Sequence, residues 1–236
     1  MSAGSQAGDV AVVIPARNEA DRVQATVTAA TGLARVGLVV VVDDGSADAT
    51  GAAARRAGAI VIRHGRNRGK AAAMQTGANA VSLVDQRERR EHPRHLLFLD
   101  ADLAESAAQA APLADPVIAG TADMTIAVFA TTVKLGGHGL VVGLSGAGIR
   151  RAVGWRPAQP LNGQRCLTRA AFEAARPLAP GWGVETALTI DLLRQGFRVT
   201  EVEVELAHRA TGTGLRAQLH RAHQLADVAR ALAVRP

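Results

Sequence analysis

The chain has 236 residues, 48% of them hydrophobic, with 27 basic against 21 acidic side chains and a formal charge of +6. That length suits one large domain and buries enough surface to need no disulfide or structural metal, and a lone Cys166 points to a reducing cytoplasm. With 3% aromatics and no Tyr a stacking platform for single-stranded nucleic acid is excluded, no apolar run reaches the roughly 20 residues of a spanning helix, and the opening MSAGSQAGDV lacks a secretory pattern.

Residues 10–15 (VAVVIP) are short, β-branched and wholly apolar, as a central parallel strand requires. Pro15 ends this run, and Asn18-Glu19 open a helix to about residue 31. Residues 38–42 (LVVVV) predict the second strand, closed by Asp43-Asp44-Gly45-Ser46, with Ser46 or Asp48 as cap for a helix over about 49–57. A third strand at 59–63 (AIVIR) leads through the loop 65–70 into a small-residue helix over 71–84. Residues 86–94 (QRERREHPR) read as a charged surface connection, and 96–99 (LLFL) as a fourth strand ended by Asp100-Ala101-Asp102. Strands alternating with helices imply a parallel sheet. The second half is less regular. It offers a strand at 124–130, a glycine-laden loop and helix over 136–154, and short helices at 168–176 and 183–194. Residues 198–206 alternate apolar and charged, as an edge strand does, and apolar positions at helical spacing mark 216–234.

Each early strand ends in a polar cluster, and in a parallel sheet those ends share the edge where α/β folds bind ligands. Asp100 and Asp102, two apart after an apolar strand, suit a hard divalent cation, which commonly bridges a diphosphate. Arg17, Arg63, Arg66, Arg68 and Lys70 place cations near the same edge, where they attract phosphates. The 65–70 loop is not a Walker A loop: three residues separate Gly65 and Gly69, and Ala71 follows Lys70. Its helix start still offers free N–H groups and a cation to an anion. No G-x-G-x-x-G follows the first strand, which disfavours a nicotinamide dinucleotide fold.

In this order and spacing, VVIPARNEA, VVVVDDGSADAT, GRNRGKAAAMQTGA and LLFLDADL resemble the nucleotide-sugar-binding half of family-2 glycosyltransferases with the GT-A fold. QPLNGQRCLTR, APGWGVETALTIDLLRQGFRV and ELAHRATG are similar to polyprenyl-phosphate sugar transferases and glucosyl-3-phosphoglycerate synthases. The likeness covers most of 9–230 and is weakest across 104–157. It implies a GT-A, Rossmann-like, mixed but mainly parallel sheet with helices on both faces. One domain would span 1–236, with a nucleotide-sugar-binding half at 1–103 and an acceptor-binding half at 104–236.

By the same resemblance Pro15, Ala16, Arg17 and Glu19 line the nucleoside pocket, and Asp44, Gly45 and Ser46 face the base or ribose. Gly69 and Lys70 lie near the diphosphate, with Asp100 and Ala101 beside them. Asp102, Asp100 and His208 hold Mn²⁺ or Mg²⁺; Asn162, Gly163, Gln164, Arg165, Trp182 and Gly183 serve the acceptor. Asp102, Lys70 and Glu185 are the implied catalytic set. The implied reaction moves a hexose from UDP-glucose or GDP-mannose to an acceptor oxygen. A polyprenyl phosphate is the first acceptor and a small anionic metabolite such as 3-phosphoglycerate the second. Two departures count against phosphoglycerate: Gly146-Ala147-Gly148-Ile149-Arg150-Arg151 replaces a Gly-Arg-Val-Thr stretch, and Ala210 follows the His208-Arg209 pair. From another class, a HAD-like phosphatase would use Asp100 as nucleophile, although there the Asp pair follows the first strand. No nucleic acid is expected as partner. Peripheral contact with the inner face of a membrane, through Arg216, His220, Arg221, Arg230 and Arg235 of the last helix, and a homodimer stay open.

Overall fold

The computed structural model describes residues 8–129, 139–206 and 215–235, with the side chains of the last segment described from 222. Its strands are β1 (Val10–Ala16), β2 (Val36–Asp43), β3 (Ile60–Arg63), β4 (His95–Phe98), β5 (Met124–Phe129), β6 (Arg165–Leu167) and β7 (Val199–Val204). They form one sheet in the order β3-β2-β1-β4-β6-β5-β7. β1 pairs in parallel with β2 and β4, and β2 with β3. β6 runs antiparallel to both β4 and β5, and β7 lies parallel to β5 at the edge. The expected mixed, mainly parallel sheet is what the chain builds.

The helices are α1 (Val23–Thr31), α2 (Thr50–Arg56), α3 (Lys70–Arg87), α4 (Asp115–Ile118), α5 (Gly139–Val153), α6 (Arg169–Ala174), α7 (Val184–Arg194) and α8 (Leu215–Ala233). Side chains alternate across a strand, so β1 feeds two cores. Val10, Val12 and Ile14 meet Val23, Val27 and Ala30 of α1 and Ala53 and Ala54 of α2. Ala11 and Val13 meet Ala73, Met74 and Ala78 of α3, in a core shared with Phe172, Val184 and Leu188. Both faces are covered, which is why the central strands carry no polar alternation. Gly77 lets α3 lie close on the sheet: a Cβ there would sit 2.3 Å from Val13 Cγ1.

The structure moves several predicted boundaries. α1 begins at Val23, because Asn18 has φ +55° and its N–H donates to Ser46 Oγ at 3.0 Å; Asn tolerates that region through its short polar side chain. The 86–94 stretch is not all surface, since Arg94 is buried and pairs with Asp85 while donating from Nε to Gly8 O at 3.1 Å. A 3₁₀ segment (Ala104–Leu113), α4 and β6 had no counterpart in the sequence reading. The edge strand stands where the alternation put it. Residues 130 and 136–138 of two predicted elements lie outside the described residues.

Candidate active site

β1 lies between β2 and β4: the chain passes from β1 to β2 on one side and returns from β3 to β4 on the other, so the strand order reverses at the carboxyl ends of β1 and β4, the place where α/β sheets bind ligands. Two loops at that edge are stitched together. Glu19 N–H donates to Thr50 Oγ1 at 2.8 Å and Ala20 N–H to Asp48 Oδ2 at 3.2 Å. Ala47 N–H donates to Asn18 Oδ1 at 2.8 Å. Ser46 and Asp48 therefore serve the neighbouring loop rather than simply capping α2. Pro15 is half-buried and Ala16 buried, Arg17 is exposed, and Glu19 is partly buried.

Asp44, expected to face the base or ribose, is buried and organises the cationic loop. Its Oδ1 accepts from the Arg68 N–H at 2.8 Å and contacts His64 Nδ1 at 2.7 Å, and its Oδ2 accepts from the Gly69 N–H at 2.8 Å. His64 Nε2 in turn lies 3.0 Å from Thr76 Oγ1. Gly45, at φ +71°, has no room for a side chain, since a Cβ would lie 2.6 Å from the Arg66 carbonyl carbon. The acidic turn and the 65–70 loop thus form one rigid unit that delivers Lys70. His64 opens the polar cluster after the third strand, but its pairing with Asp44 is not readable from sequence because the two lie 20 residues apart.

The Asp100-Ala101-Asp102 turn is held from below by α1. Ala101, itself buried, accepts at its carbonyl from Thr26 Oγ1 at 2.8 Å, and Asp102 at its carbonyl from Arg22 Nη1 at 3.0 Å. Ala104 just beyond takes φ +50°, a strained choice for a residue with a Cβ. Lys70 Nζ bridges two carboxylates, at 2.9 Å from Asp100 Oδ1 and 3.0 Å from Glu185 Oε1. Burial opposes the ammonium charge, yet Asp100 and then Glu185 outweigh it and raise the Lys70 pKa above the ordinary lysine value. The other Asp100 oxygen accepts from Gln164 Nε2 at 2.7 Å. A Cβ at Gly163 would fall 2.2 Å from Lys70 Nζ. Residues 1–103 and the second half therefore meet at this lysine.

Arg165 requires a correction. Read as a phosphate contact, it is 1% exposed and donates to the carbonyls of Asn162, Pro160 and Glu185 at 2.8, 2.9 and 3.1 Å. Burial pulls its pKa down to about 10, against the attraction of Glu185 and Glu201. It is a buried pin beneath Glu185. Asn162, also buried, donates from Nδ2 to Ala127 O at 2.8 Å, and Gln164 reaches Asp100. A short strand, β6, stands between this loop and the following helix α6. Trp182 and Gly183 form the turn ahead of α7, the tryptophan 39% exposed and the glycine buried. His208 lies outside the described residues.

The donor set fits a hard cation. Mg²⁺-type sites take one or two carboxylates and leave the remaining positions to substrate phosphates and water, rather than using an all-protein cage. Asp102, half-buried, with Asp100 two residues before it, offers that arrangement. Among the described residues no group of three or more His, Cys, Asp or Glu side chains gathers into a preformed cage.

The sequence model described as glycosyl transferase family 2 matches residues 11–138. The uncharacterized protein MJ1222 of Methanocaldococcus jannaschii is 33% identical over 120 residues, 50% of this chain and 45% of that protein. Glycosyltransferase AglJ of Haloferax volcanii is 26% identical over 211 residues, 86% of this chain and 65% of that protein. The chain thus spans less than two thirds of the length of either curated relative. In structure it is similar to glucosyl-3-phosphoglycerate synthase from Mycobacterium tuberculosis, solved with Mn²⁺, UDP and phosphoglyceric acid. The TM-score is 0.74 and the identity 24%, over 96% of this chain and 78% of that one. The same enzyme solved with Mg²⁺ and UDP gives a TM-score of 0.73 at 23% identity, with the same coverage. These structural likenesses are likenesses of fold.

Proposed function

The chain belongs to glycosyl transferase family 2, and from that premise we infer that it moves a hexose from a nucleoside-diphosphate sugar to an acceptor oxygen with a divalent cation. The observation that carries this reading is the Asp100–Lys70–Glu185 bridge, set where β1 and β4 part. Asp102 and Asp100 would hold Mn²⁺ or Mg²⁺, the ions found in the similar solved structures. When bound, such an ion supplies Lewis-acid charge to the diphosphate as leaving group.

In this reading the anomeric C–O bond breaks with its electron pair passing to the diphosphate, and the acceptor oxygen closes the new bond. Lys70, kept protonated by its two carboxylates, is the fixed positive charge beside that departure. Glu185 accepts the proton when the acceptor is a hydroxyl. A phosphate acceptor arrives ionised and needs no base, and Glu185 then orients Lys70. Arg165 and Gln164 hold Glu185 and Asp100 from behind.

UDP-glucose is the proposed donor ahead of GDP-mannose; a similar structure carries UDP-glucose with phosphoglyceric acid. Both proposed acceptors, a polyprenyl phosphate and then 3-phosphoglycerate, present a phosphate. Among the described residues no helix is long and apolar enough to cross a membrane. The phosphatase alternative falls with the family match, and Asp100, engaged by Lys70 and Gln164, serves here as a cation and lysine partner. Calorimetry with UDP-glucose tests the assignment: Asp102→Ala should abolish the part of donor affinity that depends on Mn²⁺. Wild-type donor affinity that is the same with and without Mn²⁺ would overturn it.

A further inference from the structure

α8 closes on the turn ahead of Glu185 through contacts that only glycine permits. Asp227 Oδ2 accepts a hydrogen bond from the Trp182 N–H at 3.1 Å. A Cβ at Gly181 would lie 2.0 Å from that same oxygen, and one at Gly183 would lie 2.7 Å from Asp227 O and 2.6 Å from Ala231 Cβ. The other carboxylate oxygen of Asp227 is taken by Arg230 Nη1 at 2.8 Å. Farther along, Arg235 forks onto Asp191 of α7 at 2.6 and 2.7 Å, and a Cβ at Gly148 of α5 would meet Leu232 Cδ2 at 2.3 Å.

Apolar packing of Val228 and Ala231, both buried, would suffice to dock an amphipathic helix. A carboxylate aimed at one backbone N–H of a glycine turn adds a directed contact, and charge-assisted bonds of this kind are about twice as strong as neutral ones. The turn it grips presents a partly exposed indole, and Glu185 follows two residues after Gly183.

We propose that Asp227 is a positioning residue: its carboxylate fixes the turn from Gly181 to Gly183 and so sets where Trp182 and Glu185 stand toward the acceptor. This rests on the reading of that turn as the acceptor side. It makes the C-terminal helix part of the acceptor site without touching the donor.

The chain has two tryptophans, so a Trp155→Phe background leaves Trp182 as the sole fluorophore. In that background Asp227→Ala should make Trp182 more accessible to iodide quenching and raise the acceptor KM about tenfold, a loss of about 1.4 kcal/mol. Kd for UDP-glucose with Mn²⁺ should stay within about twofold. Asp227→Asn, which keeps an acceptor oxygen, should recover most of the acceptor KM. Gly181→Ala, pressing on the carboxylate from the turn, should reproduce the Ala variant and stands in for it if that variant does not fold. The acceptor is whichever of a short polyprenyl phosphate or 3-phosphoglycerate the parent glucosylates. Quenching and acceptor KM equal to the parent's, or equal losses toward donor and acceptor, would overturn the proposal. A parent that glucosylates neither acceptor defeats the functional reading, while the quenching comparison still decides the placement of Asp227.

Discussion

A methyl group at position 163 would meet the far end of a flexible side chain, the Lys70 ammonium at 2.2 Å, and the Asp100 oxygens at 3.2 and 3.3 Å. Lys70 must swing aside, which takes it from between the two carboxylates and leaves the buried Glu185 without its counter-ion, a costly change. Gly163→Ala is therefore expected to lower the melting temperature by several degrees and to lose about a hundredfold in kcat, since displacements near 1 Å in a site cost that much. Thermal denaturation and initial rates on the same preparation check the pair of outcomes. The meeting of Asp100, Lys70 and Glu185 joins residues that strand ends and a shared motif order already mark in the sequence. The work of Asp44, Gln164 and Arg165 was not legible there, because a one-dimensional reading cannot tell an aspartate facing a ligand from one gripping backbone N–H groups 24 and 25 residues onward.

Among the elements, α3 carries the closest approach to the sheet. At Gly77 an added Cβ would press Val13 Cγ1 at 2.3 Å and Val42 Cγ2 at 3.3 Å, and both valines are fully buried. Gly77→Ala gains helix propensity of up to about 1 kcal/mol but overpacks a core, at about 1–3 kcal/mol. A net loss of about 1–2 kcal/mol is expected, read as a lower denaturant midpoint at unchanged m-value. The early strands were legible from their unbroken β-branched runs. β6 was not: three residues, Arg165 to Leu167, are too few for any period to register, and only the free edges of β4 and β5 specify them. The late start of α1 escaped for a related reason, since the hydrogen bonds that hold 18–20 in a turn come from the loop after β2.

For the molecule as a whole, ligand linkage gives the broadest check, because whatever binds only the folded chain raises its stability. UDP with Mn²⁺ at about a hundred times Kd should add about 2.7 kcal/mol, a rise in melting temperature of roughly 5–10 °C for a chain of this size. Either component alone should give less than the pair, and additive shifts would speak against a shared cation-diphosphate site. The sheet itself is drawn from both halves, with β6 seated between β4 and β5. That insertion has a consequence for biosynthesis. On the ribosome, β4 emerges with an unpaired edge, and such edges invite association with other chains. It stays bare until translation has delivered residue 167, and Asp100 waits 64 residues for its glutamine. The nascent first half of the sheet is thus a template awaiting its return strand, and a chaperone that shields that open edge would act in this interval.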